Sequence, residues 1–142
     1  RRDIVRLVRR LRPSVVFAQS PDRKWDPFYI GRHHPDHLAV GTATVAALYP
    51  AARNAWDFPE LLEEGLLPHR VRELWVMGAP TTNHFVDVSE TVDAKIEALR
   101  RHRSQLADHC DELEADLRKR QAELGAKHGV GAAEEFYRAE IG

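Results

Sequence analysis

Tyr29-Ile30-Gly31-Arg32-His33-His34-Pro35-Asp36-His37-Leu38 gathers three of the chain's eight histidines and an aspartate into five positions. Beyond it Val40, Thr44, Val45, Leu48 and Tyr49 recur at helical spacing, so the cluster stands at the mouth of a helix predicted over residues 35–49. Pro35 has no N–H to leave unpaired and a φ near the helical value, which suits the first helical position and makes His34 the cap. His34 and His37, three apart, face one pocket, and Asp36 points round the first turn. Helix mouths at the end of a buried strand are where α/β proteins hold ligands. An imidazole at His37 can give a lone pair to a metal, and Asp36 is the kind of neighbour that orients a metal-bound ring. A single His-x-x-His also occurs without any metal, so the spacing alone leaves that reading open.

Upstream, Ile4, Val5, Leu7, Val8 and Leu11 recur at helical spacing with arginines between them, predicting an amphipathic helix whose arginines form the solvated face. Pro13 ends it, and Val15-Val16-Phe17-Ala18 is a continuous apolar run, expected as a strand covered on both faces. Helix followed by buried strand is half of a parallel crossover, which makes the class α/β. Ser20 to His33 is then a long polar loop leading into the histidines. Within it Tyr29 can lay a phenol over a substrate carbonyl, or Trp25, Phe28 and Tyr29 can pack the loop onto the domain.

Downstream, Phe58 to Glu64 reads as a short helix closed by Gly65, and Glu73-Leu74-Trp75-Val76-Met77-Gly78 and Phe85-Val86-Asp87-Val88 as two further strands. His69 is expected at the surface, without a clustered partner. Asn83 and His84 follow a turn marked by Pro80-Thr81-Thr82 and either border a polar pocket or serve the turn. Ser89 is expected to cap a helix carrying Val92, Ile96 and Leu99. From Leu106 a charged helix with Cys110, Leu113, Leu117 and Leu124 inside is expected to end at Gly125, its leucines being available to a second copy in a homo-oligomer.

The 142 residues suffice for a single domain, with 43% hydrophobic and 30% charged residues as in an ordinary soluble chain. With 21 basic and 22 acidic residues, nothing favours nucleic acid or an anionic membrane as partner. No apolar run approaches the ~20 residues that cross a bilayer, and one cysteine suits a reducing compartment, so a cytoplasmic location is expected.

His34-Pro35-Asp36-His37 with Leu38-Ala39-Val40-Gly41 resembles the second signature of the LmbE-like, or PIG-L, zinc-dependent N-deacetylases. The resemblance extends to Arg9-Arg10-Leu11-Arg12-Pro13 with the strand after it, to Asn83-His84-Phe85-Val86-Asp87, to Lys95, to His102-Arg103-Ser104-Gln105 and to Glu134-Glu135-Phe136. It implies a Rossmann-like layered fold with a mainly parallel sheet flanked by helices. The family's first signature, His-Pro-Asp-Asp, is absent, so the sequence resembles the C-terminal part of such an enzyme, incomplete at its N-terminus and beginning in mid-helix at Arg1-Arg2-Asp3.

The implied activity is removal of an N-acetyl group from an N-acetylglucosaminyl or related small glycoconjugate, with Zn2+ or another divalent metal as cofactor. His37 would be a metal ligand, His34 the donor to the oxyanion or the leaving amine, and Asp36 the group orienting an imidazole. Tyr29, Arg32 and His84 are the candidates on the substrate side; Arg32 stands where some members of the family have tyrosine. Since a catalytic zinc takes about three protein ligands, this chain alone is expected to be inactive and the whole protein active. The alternative is a non-catalytic sugar-binding or interaction domain on the same scaffold. A two-histidine phosphohydrolase would need a further His-Asp pair, and none is present.

Overall fold

An alternating pattern of apolar and basic residues folds Arg2–Leu11 into the first helix, α1, in a computed structural model that describes residues 1–25, 30, 34–106 and 109–142. The elements that follow are β1 (Val15–Gln19), α2 (Pro35–Leu48), a 3₁₀ turn (Ala51–Arg53), α3 (Glu60–Glu63), β2 (Glu73–Met77), β3 (His84–Asp87), α4 (Val92–Arg100), α5 (Arg103–Leu106), α6 (Cys110–His128) and β4 (Ala133–Glu140). The fold is α/β, with a mixed sheet in the order β1-β2-β4-β3. The parallel pair is β1 with β2, in register from Val15↔Glu73 to Gln19↔Met77; β4 runs antiparallel to β2. The chain divides into two compact units, Arg1–Asn83 with Phe136–Gly142, and His84–Glu135.

In the first unit, Val5 and Val8 of α1, Ala47 and Leu48 of α2, Leu61 of α3, and Ala18, Leu74 and Val76 of the strands form one buried cluster. The expectation that the α1 arginines are solvated fails at Arg9, which is 2% exposed. Arg9 lies four residues after Val5 and so falls on the buried stripe. Its guanidinium donates to the carbonyls of Ala51 (2.9 Å), Asn54 (2.7 Å) and Asp57 (3.0 Å), fastening the segment after α2 onto α1. Burial lowers its pKa, opposed by Asp57 and Glu60. His69, expected at the surface, is half-buried and its Nε2 lies 2.8 Å from the Pro13 carbonyl oxygen.

Alternation along the strands turns Ala18, Leu74 and Val76 toward this core and Phe17 and Trp75 to the other face. There Phe17, Trp75 and Phe136 pack with ring centroids 5.2–5.6 Å apart. Phe17 is 54% exposed, so β1 is not covered on both faces as its apolar run implied. Beside the rings Arg138 donates to both Glu73 carboxylate oxygens (2.9 and 2.8 Å), and the Trp75 indole donates to Glu73 at 2.8 Å. These bonds, the Arg138 guanidinium first and the indole second, hold the Glu73 carboxyl below its ordinary pKa.

The second unit packs Val92 and Ile96 of α4 with Ala132, flanked by Val88 and Leu117. Ser89 does not cap α4: the helix follows Thr91, and the Ser89 hydroxyl donates to Asp87 and accepts from the Ala132 amide. Nor does α6 stop at Gly125. It runs to His128 and ends on Gly129, whose φ of 74° is the left-handed conformation that glycine adopts without strain. Gly125 is instead a packing position, where an added Cβ would lie 2.7 Å from backbone atoms of Val130, Gly131 and Ala132. Among the described residues no helix is long and apolar enough to cross a membrane.

Replacing Arg9 by methionine leaves carbonyls of the 51–57 segment without their donor in a buried site, and is expected to cost about 2–4 kcal/mol. Urea unfolding checks this as a lowered midpoint with unchanged slope; a midpoint as in the wild type contradicts it. Because the Glu73 pKa is depressed in the folded state, its contribution is complete above the ordinary carboxylate pKa of about 4.3 and is lost as pH falls through the lower folded value. Urea midpoints between pH 6 and pH 3 should therefore fall more steeply for the wild type than for Glu73→Gln, and parallel curves would contradict the assignment.

Candidate functional site

Proline at the first helical position starts α2 where local chemistry requires, and His34 closes the turn before it. The His34 Nδ1 accepts the Asp36 amide at 3.2 Å, satisfying one of the amides that a helix start leaves without an intrahelical partner. An amide can only donate, so Nδ1 carries the lone pair and the neutral ring keeps its proton on Nε2. The Asp36 Oδ2 lies 3.7 Å from the same Nδ1, ready to face it whenever that nitrogen carries a proton. His34 and His37 stand with ring centroids 5.7 Å apart and planes at 49°, both exposed. One imidazole thus offers a donor and the other is open to give a lone pair.

The position of this mouth follows from the face that α2 buries. Residues 37, 41, 44 and 48 lie on one stripe, and Gly41, Thr44 and Leu48 on it are buried. The sequence pattern suggested Val40, Val45 and Tyr49 for the apolar face, but these are 45%, 38% and 67% exposed. Small residues are selected instead because the helix lies against backbone. A Cβ on Gly41 would sit 2.5 Å from the Gln19 carbonyl oxygen and 3.0 Å from the Pro21 nitrogen. Glycine within a helix costs about 1 kcal/mol relative to alanine, a cost that α2 carries at this one position among its alanines.

Gln19 is the last residue of β1, so His37, one turn before Gly41, stands at the carboxyl end of the β1–β2 pair. The Ser20 amide donates to the Met77 carbonyl at 3.0 Å, and the Ser20 hydroxyl accepts from the Asp22 amide at 3.1 Å, so the turn leaving β1 is tied down. The loop after β2, with Gly78 at φ 68° and exposed Thr81 and Thr82, leaves from the same edge. Two loops and one helix mouth meeting where parallel strands end is the usual setting of a ligand site in α/β proteins.

Of the residues singled out in the sequence, His34, Asp36 and His37 come together at this mouth. Tyr29 and Arg32 lie outside the described residues. His84 opens β3 in the second unit, half-buried. Asn83 serves the chain's own architecture: its side chain accepts from the Arg138 amide (2.7 Å) and donates to the Arg138 carbonyl (3.0 Å). Trp25 is 69% exposed. Gly41 and Ser20 were missed; a lone glycine inside an alanine-rich helix was the available signal.

The donor types at the mouth suit zinc, which takes imidazole nitrogen and carboxylate oxygen. The exposed His37 ring can supply one ligand. The His34 Nδ1 is engaged by the cap and its Nε2 carries a proton, so in this arrangement the ring is a donor and not a ligand. Among the described residues no group of three or more His, Cys, Asp or Glu side chains assembles that could hold a metal ion.

No protein-family model matches the chain. It is similar to diacetylchitobiose deacetylase of Thermococcus kodakarensis, 31% identical over 113 residues that make up 80% of this chain and 40% of that protein. It is also similar to the 1D-myo-inositol 2-acetamido-2-deoxy-alpha-D-glucopyranoside deacetylase of Rhodococcus jostii, 30% identical over 131 residues, 72% of this chain and 42% of the relative. Among solved structures, N,N'-diacetylchitobiose deacetylase from Pyrococcus horikoshii, in complex with its inhibitor MPG, superposes with a TM-score of 0.83 and 26% identity, covering 98% of this chain and 50% of that one. The chain spans half or less of the length of these relatives, all of which are deacetylases acting on, or named for, small N-acetylated sugars.

If His34 caps α2 through Nδ1, His34→Ala should lower stability by about 1 kcal/mol and His34→Asn, whose amide oxygen can take over the cap, should restore most of it. Thermal unfolding together with hydrogen exchange at the Asp36 amide checks this. Equal stability of the alanine variant and the wild type would remove the cap.

Proposed function

We propose that the protein carrying this chain is a zinc-dependent N-deacetylase of the LmbE/PIG-L type, hydrolysing the acetamide of an N-acetylglucosaminyl or related small glycoconjugate. The observation that carries the reading is the division of labour at the mouth of α2: an exposed His37 able to ligate, three residues from a His34 whose cap leaves its Nε2–H pointing away as a donor. Similarity to deacetylases over most of the chain supports the reaction class.

Hydrolysis of an amide without a covalent nucleophile needs an activated water, a stabilised oxyanion and a proton for the leaving amine. A divalent metal, when bound, supplies the first of these. His37 would contribute one ligand toward it; among the described residues no group of three or more ligands assembles, so the remaining ligands and the general base are proposed to come from residues beyond those described. His34 donates its Nε2–H to the carbonyl oxygen as negative charge develops there. In its doubly protonated form the same ring gives the Nε2 proton to the departing amine, with the Asp36 carboxylate facing Nδ1–H to hold the cation in place. Tyr29 and Arg32, which precede His34 by five and two residues in the sequence, are proposed on the substrate side, as is His84. The 142 residues by themselves are proposed to be inactive.

The whole protein should release free amine from an N-acetylglucosaminyl substrate, lose that activity on removal of zinc by chelation and regain it on readdition. His37→Ala should lower both zinc content and turnover, the latter by at least about 10²-fold, whereas His34→Ala should lower turnover while zinc content stays at the wild-type level. Sugar binding without amine release at any metal load would replace the hydrolase reading by that of a binding domain.

A further inference from the structure

We propose that Gly41 is a positioning residue: by carrying no Cβ it lets α2 seat directly on the backbone of Gln19-Ser20-Pro21, and this seat sets where the His37 and His34 imidazoles stand. The proposal rests on the functional reading above only for its effect on turnover; its structural content is independent. Three observations lead to it. A Cβ at position 41 would lie 2.5 Å from the Gln19 carbonyl oxygen and 3.0 Å from both the Ser20 carbonyl carbon and the Pro21 nitrogen, and all three are backbone atoms that cannot rotate aside. The strand end that they belong to is held in turn by the Ser20–Met77 backbone bond and by the Ser20 hydroxyl on the Asp22 amide, so it is the helix that must yield. His37 is one turn toward the mouth on the same stripe, and side chains on a helix lean toward its N-terminus, so a displacement at 41 is delivered to the ring.

The displacement required is about 1 Å, the shortfall from ordinary van der Waals contact, and misplacement of that size at a reacting centre costs on the order of 10²-fold in rate. Gly125 gives the internal comparison. It is also tight against backbone, with contacts of 2.7 Å, but belongs to the second unit, and the residue one turn before it, Gln121, is not a candidate site residue. A merely structural glycine and a positioning glycine therefore differ in what they move and not in how much stability they carry.

The test compares Gly41→Ala, Gly125→Ala and Ser20→Ala in the whole protein with the wild type. Melting temperature, imidazole 15N spectra of His34 and His37, zinc content, and kcat and KM for amine release from an N-acetylglucosaminyl substrate are measured below every melting temperature. The expected result for Gly41→Ala is shifted His34 and His37 ring resonances and kcat reduced on the order of 10²-fold with KM within about threefold. Gly125→Ala, with a comparable loss of melting temperature, should leave both rings and kcat at the wild-type values. Ser20→Ala loosens the same seat and should move the same readouts in the same direction by less; it decides the matter if Gly41→Ala does not fold. Unshifted rings in both Gly41→Ala and Ser20→Ala, or kcat falling equally in Gly125→Ala, would overturn the proposal. Shifted rings in a protein whose wild type shows no turnover would leave the positioning role standing and remove the deacetylase reading instead.

Discussion

Backbone laid on backbone, with no side chain between, is the constraint on which the rest of the first unit depends. At Gly41 the helix α2 approaches the end of β1 more closely than any residue with a Cβ allows. That contact dictates which face of α2 is buried, and therefore why Thr44, Ala47 and Leu48 are inside while two valines and a tyrosine of the same helix are not. It also dictates that the helix begins at the carboxyl edge of the parallel strands, where loops leave β1 and β2. The buried Arg9 secures the far end, drawing the carbonyls of the segment after α2 onto α1. Held at both ends, α2 presents its mouth as part of the scaffold.

On that mouth two histidines three residues apart acquire different chemistry from one hydrogen bond. The Asp36 amide donates to the His34 Nδ1, which leaves Nε2 as the nitrogen free to carry the proton, while among the described residues no side-chain hydrogen bond commits the His37 ring. The proposed distinction between a donor and a ligand thus rests on helix capping, a requirement that every helix start has to meet. Asp36 serves the arrangement twice, through its amide in the neutral state and through its carboxylate once the ring is charged.

Much of this was legible in the sequence because local rules governed it. Proline at position 35 allows one helix start, and the apolar runs at 15–18 and 73–77 allow little but strands. What escaped reading was decided by tertiary partners. Arg9 reads as a surface cation until the carbonyls that surround it are known, and Val40 and Val45 read as core until the close approach at Gly41 selects smaller neighbours. The helix α6 passes Gly125 and stops at Gly129 because two glycines four apart offer the same local signal for different reasons, one a close contact and the other a left-handed cap. The strand β4, Ala-Glu-Glu-Phe-Tyr-Arg-Ala-Glu, lacks an apolar run; its charges are accommodated by Lys95 and Gln121 on Glu134, by Lys127 and His128 on Glu135, and by Glu73 on Arg138.

In the proposed function the cap assigns the two rings, His37 to the metal and His34 to the substrate. Anomalous diffraction at the zinc edge from crystals of the whole, zinc-loaded protein tests it most directly. The expected result is an ion about 2.1 Å from a ring nitrogen of His37, with the His34 Nδ1 still on the Asp36 amide and its Nε2 off the metal. An ion bound by His34, or zinc held elsewhere with His37 uninvolved, would contradict it.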